Sequence, residues 1–329
     1  MTQTISTKEA VKAALAPIAT EMAEVERVIA AEMQSEVARV REIGQYITSA
    51  GGKRMRPALL LLMARAMGAD PIKAAYLGAV IEILHTATLM HDDVVDEGKM
   101  RRGRETANAK WGNGPAVLVG DFLYTRSFQM MVRAGNLRVM QALADAANRL
   151  SEGEVLQMSN AHDPNVDEAR YFAVIERKTA CLFEAAAHMA GALADAPAEI
   201  EASCAEYALA LGNAFQIADD ILDYRGVSSE IGKNLGADLR EGKVTLPVIY
   251  AMQNCTPEEK GVIEQAIREG DGDFVAISDI IIRSGAIEKC QKRALQEVER
   301  GKNAISRVGT GQFVESLIKF LFFAVNRDR

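Results

Sequence analysis

Two stretches of this chain place carboxylates at helical spacing. The first is His91-Asp92-Asp93-Val94-Val95-Asp96, and the second is Gln216-Ile217-Ala218-Asp219-Asp220-Ile221-Leu222-Asp223, so both contain the pattern DDxxD. Residues four apart on a helix project from one face, one turn above the other, which aligns Asp92 with Asp96. Gln216, Asp219, Asp220 and Asp223 likewise fall at i, i+3, i+4 and i+7 on one face of an otherwise apolar helix. Like charges at that spacing repel, and a helix C-terminus is the worse end for anions. A divalent cation removes the cost. Hard oxygen donors with no neighbouring sulfur or paired histidine point to Mg2+, which takes one or two carboxylates and completes its octahedron with water and substrate phosphate. Two such clusters predict a cage that holds a diphosphate between metals.

Cations accompany the carboxylates. Gly51-Gly52-Lys53-Arg54-Met55-Arg56-Pro57 puts positive charge just before a helix N-terminus, the end that already favours anions. His85 lies seven residues before Asp92, two turns down on the same face, which makes it a candidate diphosphate donor. Arg101 and Arg102 follow the first cluster, and an arginine pair can grip phosphate oxygens bidentately. Lys178-Thr179 sits within a helical stretch. Lys233 and Lys243 belong to a Gly-rich loop after the second cluster that could fold over a diphosphate as a lid.

With these segments in place, the chain resembles the trans-isoprenyl diphosphate synthase family, and its long-chain octaprenyl and decaprenyl branch most. The resemblance runs from about residue 45 to the C-terminus. It rests on GGKRMRP, HDDVVDEGKMRRG, ERKTA, QIADDILDY and GKNLGADLREGKVTLP, in that order. It implies an all-α, single-domain helical bundle around a deep central cavity, the isoprenoid synthase fold, commonly paired as a homodimer. It also implies that Lys53, Arg56, His85 and Arg102 bind isopentenyl diphosphate, and that Arg101, Lys178, Thr179, Gln216, Lys233 and Lys243 hold an allylic diphosphate primer. Asp92, Asp96 and Asp219 would ligate Mg2+, supported by Asp220 and Asp223. Asp93 and Lys178 would join the catalytic group.

The implied reaction is ionisation of the allylic diphosphate, attack by the isopentenyl double bond, and loss of a proton to the departed pyrophosphate. Product length is then steric. Ala87 and Thr88 stand one turn before Asp92 and Leu84 one turn further down, none of them aromatic, so nothing bulky blocks a growing tail. The expected product lies in the octaprenyl-to-decaprenyl range, such as the tail of ubiquinone, with Met130, Met131 and Leu143 as candidates for the cavity floor. A shorter-chain synthase, a class I terpene cyclase and a non-catalytic regulatory subunit are the rivals. Degraded aspartate clusters would favour the last, and here both are intact.

These residues require helices to position them. Apolar residues recur at three- and four-residue steps over 11–28, 58–67, 74–91, 116–134, 139–158, 171–193 and 200–223. Further helices are predicted over 246–253, 258–269, 273–284, 287–307 and 313–325. A long polar connection is expected over 98–114, and an N-terminal helical extension is expected over residues 1–30. No Ser/Gly/Pro-rich linker divides the 329 residues, so one domain is expected. The net charge of −7 argues against a nucleic-acid surface and means that any diphosphate site must gather its cations locally. Cys181, Cys204, Cys255 and Cys290 form no CxxC pair and suit small core positions in a reducing compartment. The apolar runs 58–63 and 320–325 are too short to span a bilayer, so no transmembrane segment and a cytoplasmic location are expected.

Overall fold

The computed structural model describes residues 12–224 and 236–326, so the first eleven residues of the expected N-terminal extension lie outside the described residues. Apart from one small hairpin, the described residues build their regular structure from helices. In chain order these are α1 (Ala19–Glu32), α2 (Ala38–Ser49), α3 (Met55–Ala66), α4 (Pro71–Val95), α5 (Ala107–Trp111), α6 (Asn113–Ala134), α7 (Leu137–Asn160), α8 (Glu168–Ile175), α9 (Cys181–Leu193), α10 (Ala198–Leu222), α11 (Ala237–Arg240), α12 (Leu246–Asn254), α13 (Pro257–Glu269), α14 (Phe274–Arg283), α15 (Ala286–Ile305) and α16 (Gln312–Val325).

The helix ends follow local chemistry. Asp70 caps α4 by accepting from the backbone N–H groups of Ile72 and Lys73, with Pro71 in the first turn where its missing N–H costs nothing. Asn136 caps α7 in the same way. Thr256 and Glu259 form a reciprocal capping box on α13. Gly135 ends α6 in the left-handed conformation that a residue without a Cβ adopts cheaply.

The main core gathers α3, α4, α6, α7, α9 and the first half of α10. Leu59, Leu60, Leu61 and Leu62 are all fully buried, so α3 has protein on every side. Each such leucine contributes about 1.5–3 kcal/mol relative to an exposed one. α4 is long and apolar enough to cross a membrane, but most of that stretch is buried inside the bundle. A second core lies under α8, α11, α12, α13 and α14. α10 runs through both, contributing Cys204 to Ala214 to the first and Ile217 and Ile221 to the second.

Three features differ from the sequence reading. A helix, α2, covers residues left unassigned, with Ile43 buried beneath it. The polar connection after α4 contains a hairpin of β1 (Met100–Arg101) and β2 (Arg104–Glu105), and then α5. The continuous helix expected over 171–193 is interrupted by a π-helical turn at Glu176–Ala180. Glycines make room for that turn on both sides. A Cβ at Gly153 of α7 would lie 2.8 Å from Lys178 N, and one at Gly212 of α10 would lie 2.6 Å from Ala180 Cα. The backbones approach more closely than any side chain permits.

Candidate active site

Asp92 and Asp96 close the C-terminal end of α4, with Asp96 the first residue beyond it. Burial pushes the Asp92 carboxyl up to about 6; Lys178 opposes the shift, while Glu154 and Asp96 add to it. A carboxyl desolvated in this way, one helical turn from Asp96, suits a divalent cation, which would restore the charged form of Asp92. Asp93 is engaged within the bundle. Its buried carboxylate accepts from Arg101 Nε at 2.7 Å, and its carbonyl accepts from Gly98 N and Asn108 Nδ2, both at 2.9 Å. The hairpin beyond it turns through Arg102 (φ 53°) and Gly103 (φ 76°), the two left-handed residues that a type I′ turn requires. Asp93 thereby locks the arginine-bearing hairpin to the end of α4.

Part of the expected cation set lies together. A cleft of about 740 Å3 is lined by Lys53, Arg56, His85, Arg101, Arg102 and Asp219. Arg56 Nη1 lies 3.0 Å from His85 Nε2, and its guanidinium sits 4.7 Å from the centroid of the Phe183 ring. Burial, followed by Arg56 and Arg102, holds the His85 imidazole well below its usual range. The ring is therefore neutral, and its Nε2 accepts from Arg56. Arg56 Nε is buried with no hydrogen-bond partner. Burial also lowers Arg56 and Arg102 from the ordinary arginine range. A buried guanidinium with an orphaned donor is costly until an anion arrives. Arg102 donates to the carbonyl of Gly51, and a Cβ on Gly52 would lie 2.6 Å from Arg102 Nη1, so the glycine pair makes way for the arginine.

Arg54 has a different task. It is buried at φ 46° and bridges Glu82 at 2.8 Å and Glu26 at 2.7 Å. This bridge holds the turn that presents Lys53 and Arg56.

On α10, neighbouring aspartates face different spaces. Asp219 is exposed and lines the cation cleft. Asp220 is buried and lines a smaller cavity of about 150 Å3 with Lys178, Thr179, Gln216, Asp238 and Lys243. Its two oxygens accept from Tyr171 Oη at 2.6 Å and Gln216 Nε2 at 2.8 Å. Asp223 accepts from Ala237 N and Asp238 N, capping α11. Of the expected metal set, Asp92 and Asp96 lie at the end of α4 with Asp96 beside Lys243, Asp219 lines the cleft, and Asp220 and Asp223 accept from protein donors. Among the described residues no three Asp, Glu, His or Cys side chains converge into a ready metal cage.

Lys178 rises from the π turn and donates to Glu154 Oε2 at 2.6 Å and Gln157 Oε1 at 2.7 Å. Lys243 reaches back to the first cluster, 3.4 Å from Asp96 Oδ2, and also pairs with Glu241. Lys233 lies outside the described residues. Glu154, Gln157, Tyr171 and Asp238 were not anticipated. Glu154 and Gln157 carried a weak signal, since they share one face of α7 with Gly153. Asp238 sits inside a motif already singled out, and burial followed by Asp223 pushes it up to about 7.

Residues 37–281 match the family model described as Polyprenyl synthetase. The octaprenyl diphosphate synthase of Escherichia coli (strain K12) is 44% identical over 313 residues, covering 94% of this chain and 97% of that protein. Among solved structures, the polyprenyl synthase of Caulobacter crescentus CB15, complexed with calcium and isoprenyl diphosphate, is 39% identical with a TM-score of 0.91, over 96% of this chain and 98% of that one. The decaprenyl diphosphate synthase of Rhodobacter capsulatus is 40% identical with a TM-score of 0.92, over 97% and 99%. The chain belongs to the polyprenyl synthetase family and is a prenyltransferase of the long-chain polyprenyl diphosphate synthase kind.

Proposed function

We propose that this enzyme condenses isopentenyl diphosphate head-to-tail onto an allylic diphosphate such as farnesyl diphosphate, with Mg2+, to an octaprenyl-to-decaprenyl product. The observation that carries the reading is the buried, partly orphaned Arg56 guanidinium, in a cleft with Lys53, His85 and Arg102 that Asp219 also lines. Such a cleft favours a polyanion on one side and a cation on the other. Arg56 and Arg102 would grip the isopentenyl diphosphate, with Lys53 adding charge. Lys178, Arg101 and Lys243 would hold the allylic diphosphate.

Asp92, Asp96 and Asp219 would hold Mg2+, which supplies positive charge to the departing diphosphate. The allylic C–O bond breaks with its electron pair leaving on pyrophosphate, and Lys178 and Lys243 offset that developing charge. The isopentenyl double bond then forms the new C–C bond, and a proton passes to the pyrophosphate to regenerate an allylic product. The neutral His85 is unsuited to acting as a cation and serves as the acceptor that orients Arg56.

We further infer a homodimer formed through α6 and α7, which expose Val117, Leu118, Val132, Val155 and Met158. One domain carries the whole site, since α10 threads both cores, and the three buried free thiols suit a reducing cytoplasm.

The test is a product assay with labelled isopentenyl diphosphate, farnesyl diphosphate and Mg2+, read by mass. A ladder ending in the octaprenyl-to-decaprenyl range is expected. A stop after one or two additions would keep the chemistry and overturn the chain length. No extension of any allylic primer would sink the assignment.

A further inference from the structure

Behind the site, four side chains form an unbroken line of hydrogen bonds. Tyr171 Oη donates to Asp220 Oδ2 at 2.6 Å, Gln216 Nε2 donates to Asp220 Oδ1 at 2.8 Å, and Thr179 Oγ1 donates to Gln216 Oε1 at 2.9 Å. The line crosses three elements: α8, the π turn and α10. Tyr171 and Asp220 are 4% and 3% exposed, so water does not replace these partners.

The donor arithmetic is restrictive. A threonine hydroxyl has one hydrogen and two lone pairs. With its hydrogen committed to Gln216, Thr179 offers only lone pairs to the cavity that it lines beside Lys178. It cannot donate to a diphosphate oxygen while the line is intact. Its direction is set further back. Reversing the Gln216 amide would turn its oxygen towards Asp220, and Asp220 is held in place by Tyr171.

We propose that Tyr171 is a positioning residue for prenyl transfer: through Asp220 and Gln216 it fixes Thr179 as an acceptor facing the cavity where positive charge develops on the primer. This rests on the prenyl-transfer reading above. It assigns Asp220 to orientation and leaves the metal to Asp219 and the first cluster. Thr179 then stabilises a cation, and the cationic side chains hold the anion.

Tyr171→Phe removes one hydroxyl and keeps the ring, so the fold should stand. We expect kcat to fall about tenfold, with KM for both diphosphates moving less than about twofold. The penalty for a primer fluorinated beside the reacting carbon, which reads positive charge there, should grow. Thr179→Ala should behave alike, Thr179→Ser, which restores the hydroxyl, should recover most of the kcat that Thr179→Ala loses, and Tyr171→Phe/Thr179→Ala should be no worse than the weaker single variant. The proposal fails if the two penalties multiply, if Tyr171→Phe leaves kcat unchanged, or if it weakens Mg2+–pyrophosphate binding as loss of a metal site would. A wild-type enzyme that adds no isopentenyl unit would overturn the prenyl-transfer reading as well, an outcome distinct from any variant effect.

Discussion

Lys243 Nζ lies 3.4 Å from Asp96 Oδ2, joining the segment after α11 to the end of the helix that carries the first aspartate stretch. The two residues are 147 positions apart. Their contact brings the segment that follows α11 against the helix end that carries the first DDxxD stretch. The ammonium keeps its charge firmly, because Glu241, Asp96 and Asp238 together outweigh the burial that opposes it. Lys243→Ala should lower kcat/KM for the allylic primer about 100-fold, the scale for losing one donor to a developing anion. The melting temperature should move little. Equal loss of activity with every primer concentration rescued by added salt would argue against a direct contact.

The raised Asp92 carboxyl has a readable pH signature. Its folded value of about 6 exceeds that of an unfolded carboxyl, so the metal-free folded state binds the proton more tightly. Its contribution to stability therefore falls as pH rises from the carboxylate range through about 6. Asp238, pushed up to about 7, acts in the same direction. Mg2+ competes with the Asp92 proton, and its apparent affinity in the presence of pyrophosphate should drop roughly tenfold per pH unit below about 6. Calorimetric titration across pH 5 to 8 checks this. A flat affinity profile would mean that Asp92 does not bind the metal.

Gly212 allows the π turn to lie against α10, since a Cβ there would sit 2.6 Å from both Cα and Cβ of Ala180. Gly212→Ala should cost about 1–3 kcal/mol, as overpacking does, and should shift Lys178 and Thr179 with the turn. Chemical denaturation and steady-state kinetics on one sample would show both effects together. A fully stable variant with lowered kcat would instead point to a purely local displacement.

Ala87 is fully buried in the same core as Leu84, Met130, Met131 and Leu143. Ala87→Phe adds a ring one turn below Asp92 and should shorten the product by several isoprene units, while initial isopentenyl consumption stays within about threefold. Mass analysis of the product ladder decides. An unchanged ladder would remove this wall of α4 from the tail path.

Arg56→Lys tests the cleft. Lysine keeps the charge but loses the planar fork held between His85 and Phe183. KM for isopentenyl diphosphate should rise about tenfold or more, and KM for the primer should stay within about twofold. A reversed pattern would exchange the two diphosphate sites.

The sequence by itself determined the helical class, because helical periodicity is a local property, and charge spacing marked the two carboxylate stretches and the cations as candidates for one site. Asp92 with Asp96 and the Gly51–Arg56 turn could be read directly for that reason. What only the tertiary structure decided is the division of labour within each motif. Asp219 and Asp220 are adjacent in sequence and identical in type, yet one lines the cleft and the other accepts from Tyr171, 49 positions away. Asp93 and Arg54 likewise lie inside chemical motifs and are spent on holding the hairpin and the turn. The π turn was hidden because the room it occupies is left by two glycines on other helices, Gly153 and Gly212. Local spacing states which groups a helix can present, and packing from distant elements selects which of them remain available to a substrate.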